Sequence, residues 1–158
     1  MLNELEIIDQ VVADGIESSK SYRSGILCLI NGADALRYVD PMFRKPCPDV
    51  GFLLSNDFAN HLDQAIQLNP SIHDGAIICQ RRAPGGKYFV EAWSMRLLPP
   101  KFSSVDFPNR GSAFNSALAM SVVPQVDAIY CWSNGEVWKF SSGTMTAIVS
   151  SLSRDAFG

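Results

Sequence analysis

Asp74-Gly75-Ala76-Ile77-Ile78-Cys79-Gln80 sets a carboxylate and a glycine directly before an apolar run. A short apolar run bounded by turn formers reads as a buried strand, and a carboxylate at its mouth holds a turn or a ligand. Arg81 to Gly86 follows with the turn formers Pro84-Gly85-Gly86, and Lys87 to Ser94 returns as a second strand, so the pair reads as a hairpin. Upstream, Ser55-Asn56-Asp57 offers side-chain acceptors to cap a helix over residues 56–68, with Phe58, Leu62, Ala65 and Ile66 inward, and Pro70 ends it.

Further out, Leu2, Leu5, Ile8, Val12 and Ile16 recur at helical spacing, which predicts an N-terminal helix over residues 2–20. Ser24 to Ile30 reads as a buried strand stopped by Asn31-Gly32. Residues 32–49, with Pro41, Pro46 and Pro48, read as irregular, and Val50 to Leu54 as a strand. Pro99 to Asn109 reads as a loop. A helix carrying Ala113, Ala117, Leu118 and Met120 stops before Pro124. Asp127 to Ser133 and Glu136 to Phe140 flank Asn134-Gly135, a strong hairpin signal. The last fifteen residues read as helix or frayed tail. The sum is an α/β (α+β) fold, a central mixed β-sheet flanked by helices.

At 158 residues, 47% apolar and 18% charged, the chain fits one globular domain spanning residues 1–158. A net charge of -3 argues against binding to polymeric nucleic acid or an anionic membrane. Gly25 to Ile30 and Ile148 to Leu152 fall far short of the roughly 20 apolar residues that span a bilayer. Glu4 and Glu6 sit where an export signal would be basic, so a cytoplasmic location is expected. Cys28, Cys47, Cys79 and Cys131 lack the spacing of a zinc site and read as reduced thiols.

Two places carry chemistry. Asp74 before a glycine leaves room for a ribose and offers a ligand for a divalent cation or an acceptor for a hydroxyl proton, or else it caps a turn after His73. Gly111-Ser112 at a helix start presents backbone N–H groups and the positive end of a helix dipole to a phosphate, or else is an N-cap. Trp93, Trp132 and Trp138 are stacking platforms or sheet packing, and His61 and His73 make no catalytic set.

These segments, in this order, resemble the diadenylate cyclase domain over residues 24–143. In that family a strand opening Asp-Gly-Ala is followed by a second strand, a Leu-x-Pro, a Gly-Thr-Arg-His-Arg-Ala-Ala segment and a strand ending in Ser. Asp74-Gly75-Ala76, Leu97-Leu98-Pro99, Gly111-Ser112, Ala117, Asp127-Ala128-Ile129 and Ser133 fall in register. Ala113-Phe114-Asn115 replaces the Arg-His-Arg, and Ser121-Val122 stands where a Glu follows Ser, so the chain is identified as a degenerate member. The resemblance implies nucleotide contacts from Asp74, Gly75, Ala76, Leu97, Arg110, Gly111, Ser112, Asn115 and Ser133. In an active enzyme it implies Asp74 as ligand of Mg2+ or Mn2+ and as activator of the attacking 3'-hydroxyl.

Joining two ATP molecules expels pyrophosphate, whose developing charge needs fixed cations. Ala113 and Phe114 supply none, and Asn115 carries no charge. Arg110, with Arg81, Arg82, Lys87, Arg96 and Lys101 nearby in sequence, either replaces them or is solvated. The resemblance therefore implies a sensor or regulatory domain of bacterial signalling, binding an adenine nucleotide or a cyclic dinucleotide such as cyclic di-AMP, as a homodimer or higher homo-oligomer. An active, divergent metal-dependent diadenylate cyclase is the alternative. An interaction domain whose pocket is filled by Phe114 is the third reading.

Overall fold

The computed structural model describes residues 4–100 and 111–152. In chain order the elements are α1 (Glu4–Ser18), β1 (Gly25–Ile30), a 3-10 helix (Ala33–Tyr38), β2 (Val39–Pro41), α2 (Phe58–Leu68) and a second 3-10 helix (Pro70–His73). Then come β3 (Ala76–Arg81), β4 (Tyr88–Leu97), α3 (Ser112–Met120), β5 (Val126–Ser133), β6 (Glu136–Ser141) and β7 (Thr144–Ile148). Among the described residues these strands form one sheet in the order β2-β4-β3-β1-β5-β6-β7. β1 and β3 run parallel and the other neighbours antiparallel, which makes the sheet mixed, as the strand and hairpin pattern predicts.

The central strands are apolar throughout because both faces of the sheet are covered. Leu27, Leu29, Ile77, Cys79, Ala128 and Tyr130 alternate onto one face, where Val12 and Ile16 of α1 and Phe58, Leu62 and Ala65 of α2 pack on them. Cys28, Ile30, Ala76, Ile78, Ile129 and Cys131 turn to the other, beneath Ala117, Leu118 and Met120 of α3. The period of two in the strands thus meets the period near 3.6 in the helices. Leu5, expected inward, is 37% exposed at the start of α1. Leu2 lies outside the described residues.

Asp63 ties α2 to the turn after α1. Its carboxylate accepts from the Ser19 hydroxyl at 2.7 Å, the Lys20 N–H at 2.9 Å, and the Ser21 N–H and hydroxyl at 3.1 and 2.8 Å. Burial works to raise this carboxyl, but the bonds from Ser19, Ser21 and Lys20 outweigh it and hold it below its ordinary value. A depressed folded-state pKa stabilises above the unfolded value of about 3.9, and that contribution is lost as pH falls through the folded value. Asp63→Ala is expected to cost about 1–2 kcal/mol at pH 7. Thermal melts of the two proteins should draw together below about pH 4.

Several expectations need correcting. Ser55-Asn56-Asp57 provides no side-chain cap to α2, because Asp57 has a near-helical backbone (φ -89, ψ 8) and its carboxylate turns to the Asn60 amide at 2.6 Å. Val50 to Leu54 forms no regular strand. Gly51 N, Leu54 N and Phe52 O bond Val90 O, Tyr88 O and Val90 N of β4, with a single bridge at Leu53. Residues 32–49 are not all irregular, since they hold a 3-10 helix and β2, whose Pro41 sits where an edge strand needs no further donor. Beyond Phe140 the chain makes neither helix nor frayed end at first. Ser142-Gly143, both left-handed (φ 50 and 79), repeats the Asn134-Gly135 turn (φ 53 and 81) and returns β7 against β6. The loop expected over Pro99 to Asn109 falls largely outside the described residues.

Candidate functional site

One end of the sheet, where β1 and β3 begin and β4 and β5 end, opens into a cleft of about 930 Å³. That is the size of a nucleotide-scale ligand site. Asp74, Gly75, Leu97, Gly111, Ser112 and Ser133 all line it. Ala76 is buried in the core behind Gly75, and exposed Asn115 lies on α3 away from the cleft lining. Arg110 and Lys101 lie outside the described residues.

Asp74 follows the second 3-10 helix in extended conformation and leaves its carboxylate 60% exposed. His73 Nε2 stands 3.3 Å from one oxygen and Arg44 Nη2 3.7 Å from the other. The His73 Nδ1 lies 2.7 Å from the Pro70 carbonyl oxygen, which only accepts, so that nitrogen donates. Gly75 turns the chain into β3 with φ 85, and a side chain there would press on the β4 backbone. Opposite this turn β4 is bulged, and the fully buried Ser94 takes a left-handed conformation, φ 56.

Across the cleft, Gly111 (φ 104) leads into α3, and no side chain among the described residues caps the helix start. Ser112, Ala113 and Phe114 of its first turn line the cleft. So do Ser24 and Ser116, which the sequence reading passed over, and with Ser112 and Ser133 they bring hydroxyls that have no partner among the described residues. Ile26, Met42, Met95 and Leu97 supply apolar wall. Phe114 lines the cleft without filling it, because its ring packs edge-on against Phe140 (4.7 Å, 85°) and Trp138 (6.2 Å, 71°). Trp132 is committed to the core, its Nε1 donating to Tyr22 O at 3.0 Å. Trp93 donates to Asp49 O and lines a different hollow.

Burial pushes the Cys131 thiol up to about 12, so it is no nucleophile. The Tyr22 hydroxyl is likewise raised, by burial and then by Asp74, and donates to Ile72 O. Among the described residues no three His, Cys, Asp or Glu side chains gather as a metal site. Asp74, faced by His73 and Arg44, offers one carboxylate, which would hold Mg2+ or Mn2+ only together with the phosphates of a ligand. No helix among the described residues is long and apolar enough to cross a membrane.

The fold is that of an α+β domain, a seven-stranded mixed sheet flanked by helices. Among solved structures the chain is similar to a hypothetical membrane spanning protein from Bacillus cereus, with TM-score 0.62 and 14% identity over 88% of this chain. It spans 61% of that protein's length. It is also similar to a double mutant of DacA from Staphylococcus aureus, a diadenylate cyclase, with TM-score 0.58 and 17% identity over 98% of this chain and 94% of the other. No family model matches the chain, and no curated protein matches it in sequence. The identification as a degenerate diadenylate cyclase family member is therefore corrected: at 14% and 17% identity the likeness is one of fold.

Proposed function

We propose that the cleft binds an adenine nucleotide or a cyclic dinucleotide and that the domain acts as a sensor or regulatory module. The observation that carries this reading is the convergence on one cleft of the first turn of α3, the hydroxyls of Ser24, Ser112, Ser116 and Ser133, and the apolar wall around Leu97. Those groups match the parts of a nucleotide: backbone N–H groups for phosphate, hydroxyls for phosphate or ribose, and aliphatic surface for a base. Binding without turnover is favoured because the first turn of α3 carries Ala113, Phe114 and Asn115, none of which stabilises charge on a leaving pyrophosphate.

A ligand that binds only the folded state raises its stability by mass action, by about 2.7 kcal/mol at a hundredfold excess over Kd. Thermal melts with ATP, GTP or cyclic di-AMP, each with and without Mn2+, should show a rise with at least one adenine ligand, and chromatography should return that ligand unchanged. A new cyclic dinucleotide in the mixture would replace the sensor reading with catalysis. No shift with any ligand would remove the binding reading itself.

A further inference from the structure

We propose that Arg44 is the phosphate-binding cation of the cleft, a guanidinium that Ser94 aims at the mouth and that Asp74 holds until an anionic ligand takes it. The inference rests on the nucleotide-binding reading and deepens it by requiring that the ligand carry phosphate.

The chain runs along β4 as β2, makes its last link with Met42 N donating to Ser94 O at 3.1 Å, and leaves the sheet there. Ser94 marks the departure. It is a non-glycine residue in left-handed conformation, fully buried, inside a strand. Such an outlier persists only where its surroundings hold it, and it points to function. Its hydroxyl donates to Asp74 O and accepts from Arg44 Nε at 2.9 Å. One side chain thus fixes the turn that carries Asp74 and the base of the guanidinium together.

The outer nitrogens of Arg44 are poorly matched. Nη2 is 3.7 Å from Asp74 Oδ2, beyond hydrogen-bond range, and 3.9 Å from Met42 Sδ, a weak acceptor. Neither Nη1 nor Nη2 bonds an oxygen within that range among the described residues. The side chain is 22% exposed, beside a carboxylate that lines the cleft. A phosphate offers the paired oxygens that a guanidinium fork accepts best. Asp74 loses little when Arg44 turns away, because its carboxylate is 60% exposed and water takes the place of the guanidinium. Arg44 thus stands directly behind the cleft-lining Asp74 and Met42, and Arg96 is a second cation on the same side of the cleft.

Affinities of the full chain for ATP and for adenosine, in parent, Arg44→Gln, Arg44→Lys and Ser94→Ala proteins, test this. Arg44→Gln should weaken ATP binding on the order of tenfold or more, as loss of a charged hydrogen-bond partner does, and leave adenosine unchanged. Arg44→Lys keeps the charge without the fork and should fall between. Ser94→Ala should shift in the same direction by less. Equal losses for ATP and adenosine, or none for ATP, would overturn the role of Arg44 while leaving nucleotide binding intact. A parent protein that binds neither ligand overturns the nucleotide reading, and this inference with it.

Discussion

Gly75→Ala is expected to lower the midpoint of thermal unfolding by about 5–10 °C, the largest stability effect predicted for a single methyl group in this domain. At φ 85 a side chain is strained wherever it points, at about 1 kcal/mol. Here the added Cβ would also lie 2.8 Å from Ser94 C and 2.9 Å from Met95 N, both backbone atoms of the neighbouring strand. Neither moves without disturbing the β3–β4 pairing at Ala76 and Met95. The two costs together come to about 2–3 kcal/mol, and about 2–4 °C follows each kcal/mol in a domain of this size. Gly51→Ala is the control. Its φ is 91, but no atom lies within 4 Å of the added carbon, so only the backbone term of about 1 kcal/mol applies. Equal melting of the two variants would mean that the close approach of β3 to the Ser94 bulge is wrong.

Ala113→Glu should weaken nucleotide binding by at least about tenfold while leaving the fold as stable as before. Ala113 is exposed, in the first turn of α3, on the cleft wall. A carboxylate in a first turn favours the helix by about 0.3–1 kcal/mol. The same carboxylate faces the place where the ligand's phosphate would sit, and two like charges about 4 Å apart repel by about 4 kcal/mol at an effective dielectric of 20, less when screened by salt. Stability and binding therefore move apart, which a merely structural effect cannot produce. Ala113→Gln, similar in size but neutral, should bind ATP nearly as the parent does, and the Glu penalty should shrink as salt rises. Unchanged ATP affinity in Ala113→Glu would place the phosphate elsewhere.

The framework was legible where one signal acted alone. The apolar runs Leu27 to Ile30 and Ala76 to Cys79 are buried on both faces, and Asn134-Gly135 can join two strands in few other ways. β7 was hidden because Ser142-Gly143 is a weaker version of that turn and Thr144 to Ile148 is largely exposed at a sheet edge, without the apolar alternation that marks a half-buried strand. Val50 to Leu54 misled for the opposite reason: it is apolar enough for a strand but bonds β4 through only a few backbone groups.

At the site, Asp74-Gly75 and Gly111-Ser112 could be read from local chemistry. Arg44 could not. It lies fifty residues before Ser94 in the chain, in a segment with no periodicity, and the pairing of β2 with β4 beside the bulge brings the two together. Ser24 and Ser116 are ordinary in sequence and gain meaning from the cleft they face. The ordered match to diadenylate cyclase motifs was a fair guide to architecture and a poor one to kinship, because a fold constrains where a turn needs glycine far more than it constrains the rest of the sequence.

The most direct measurement is a titration of the isotope-labelled protein with ATP, following backbone amide shifts residue by residue. Nucleotide binding in the cleft predicts that the largest changes gather at Gly75, Leu97, Ser112, Ala113 and Ser133, on elements far apart in sequence but joined around one opening. Changes centred instead on the separate hollow of about 650 Å³ beside Lys20 and Arg23, or none at millimolar ligand, would contradict it.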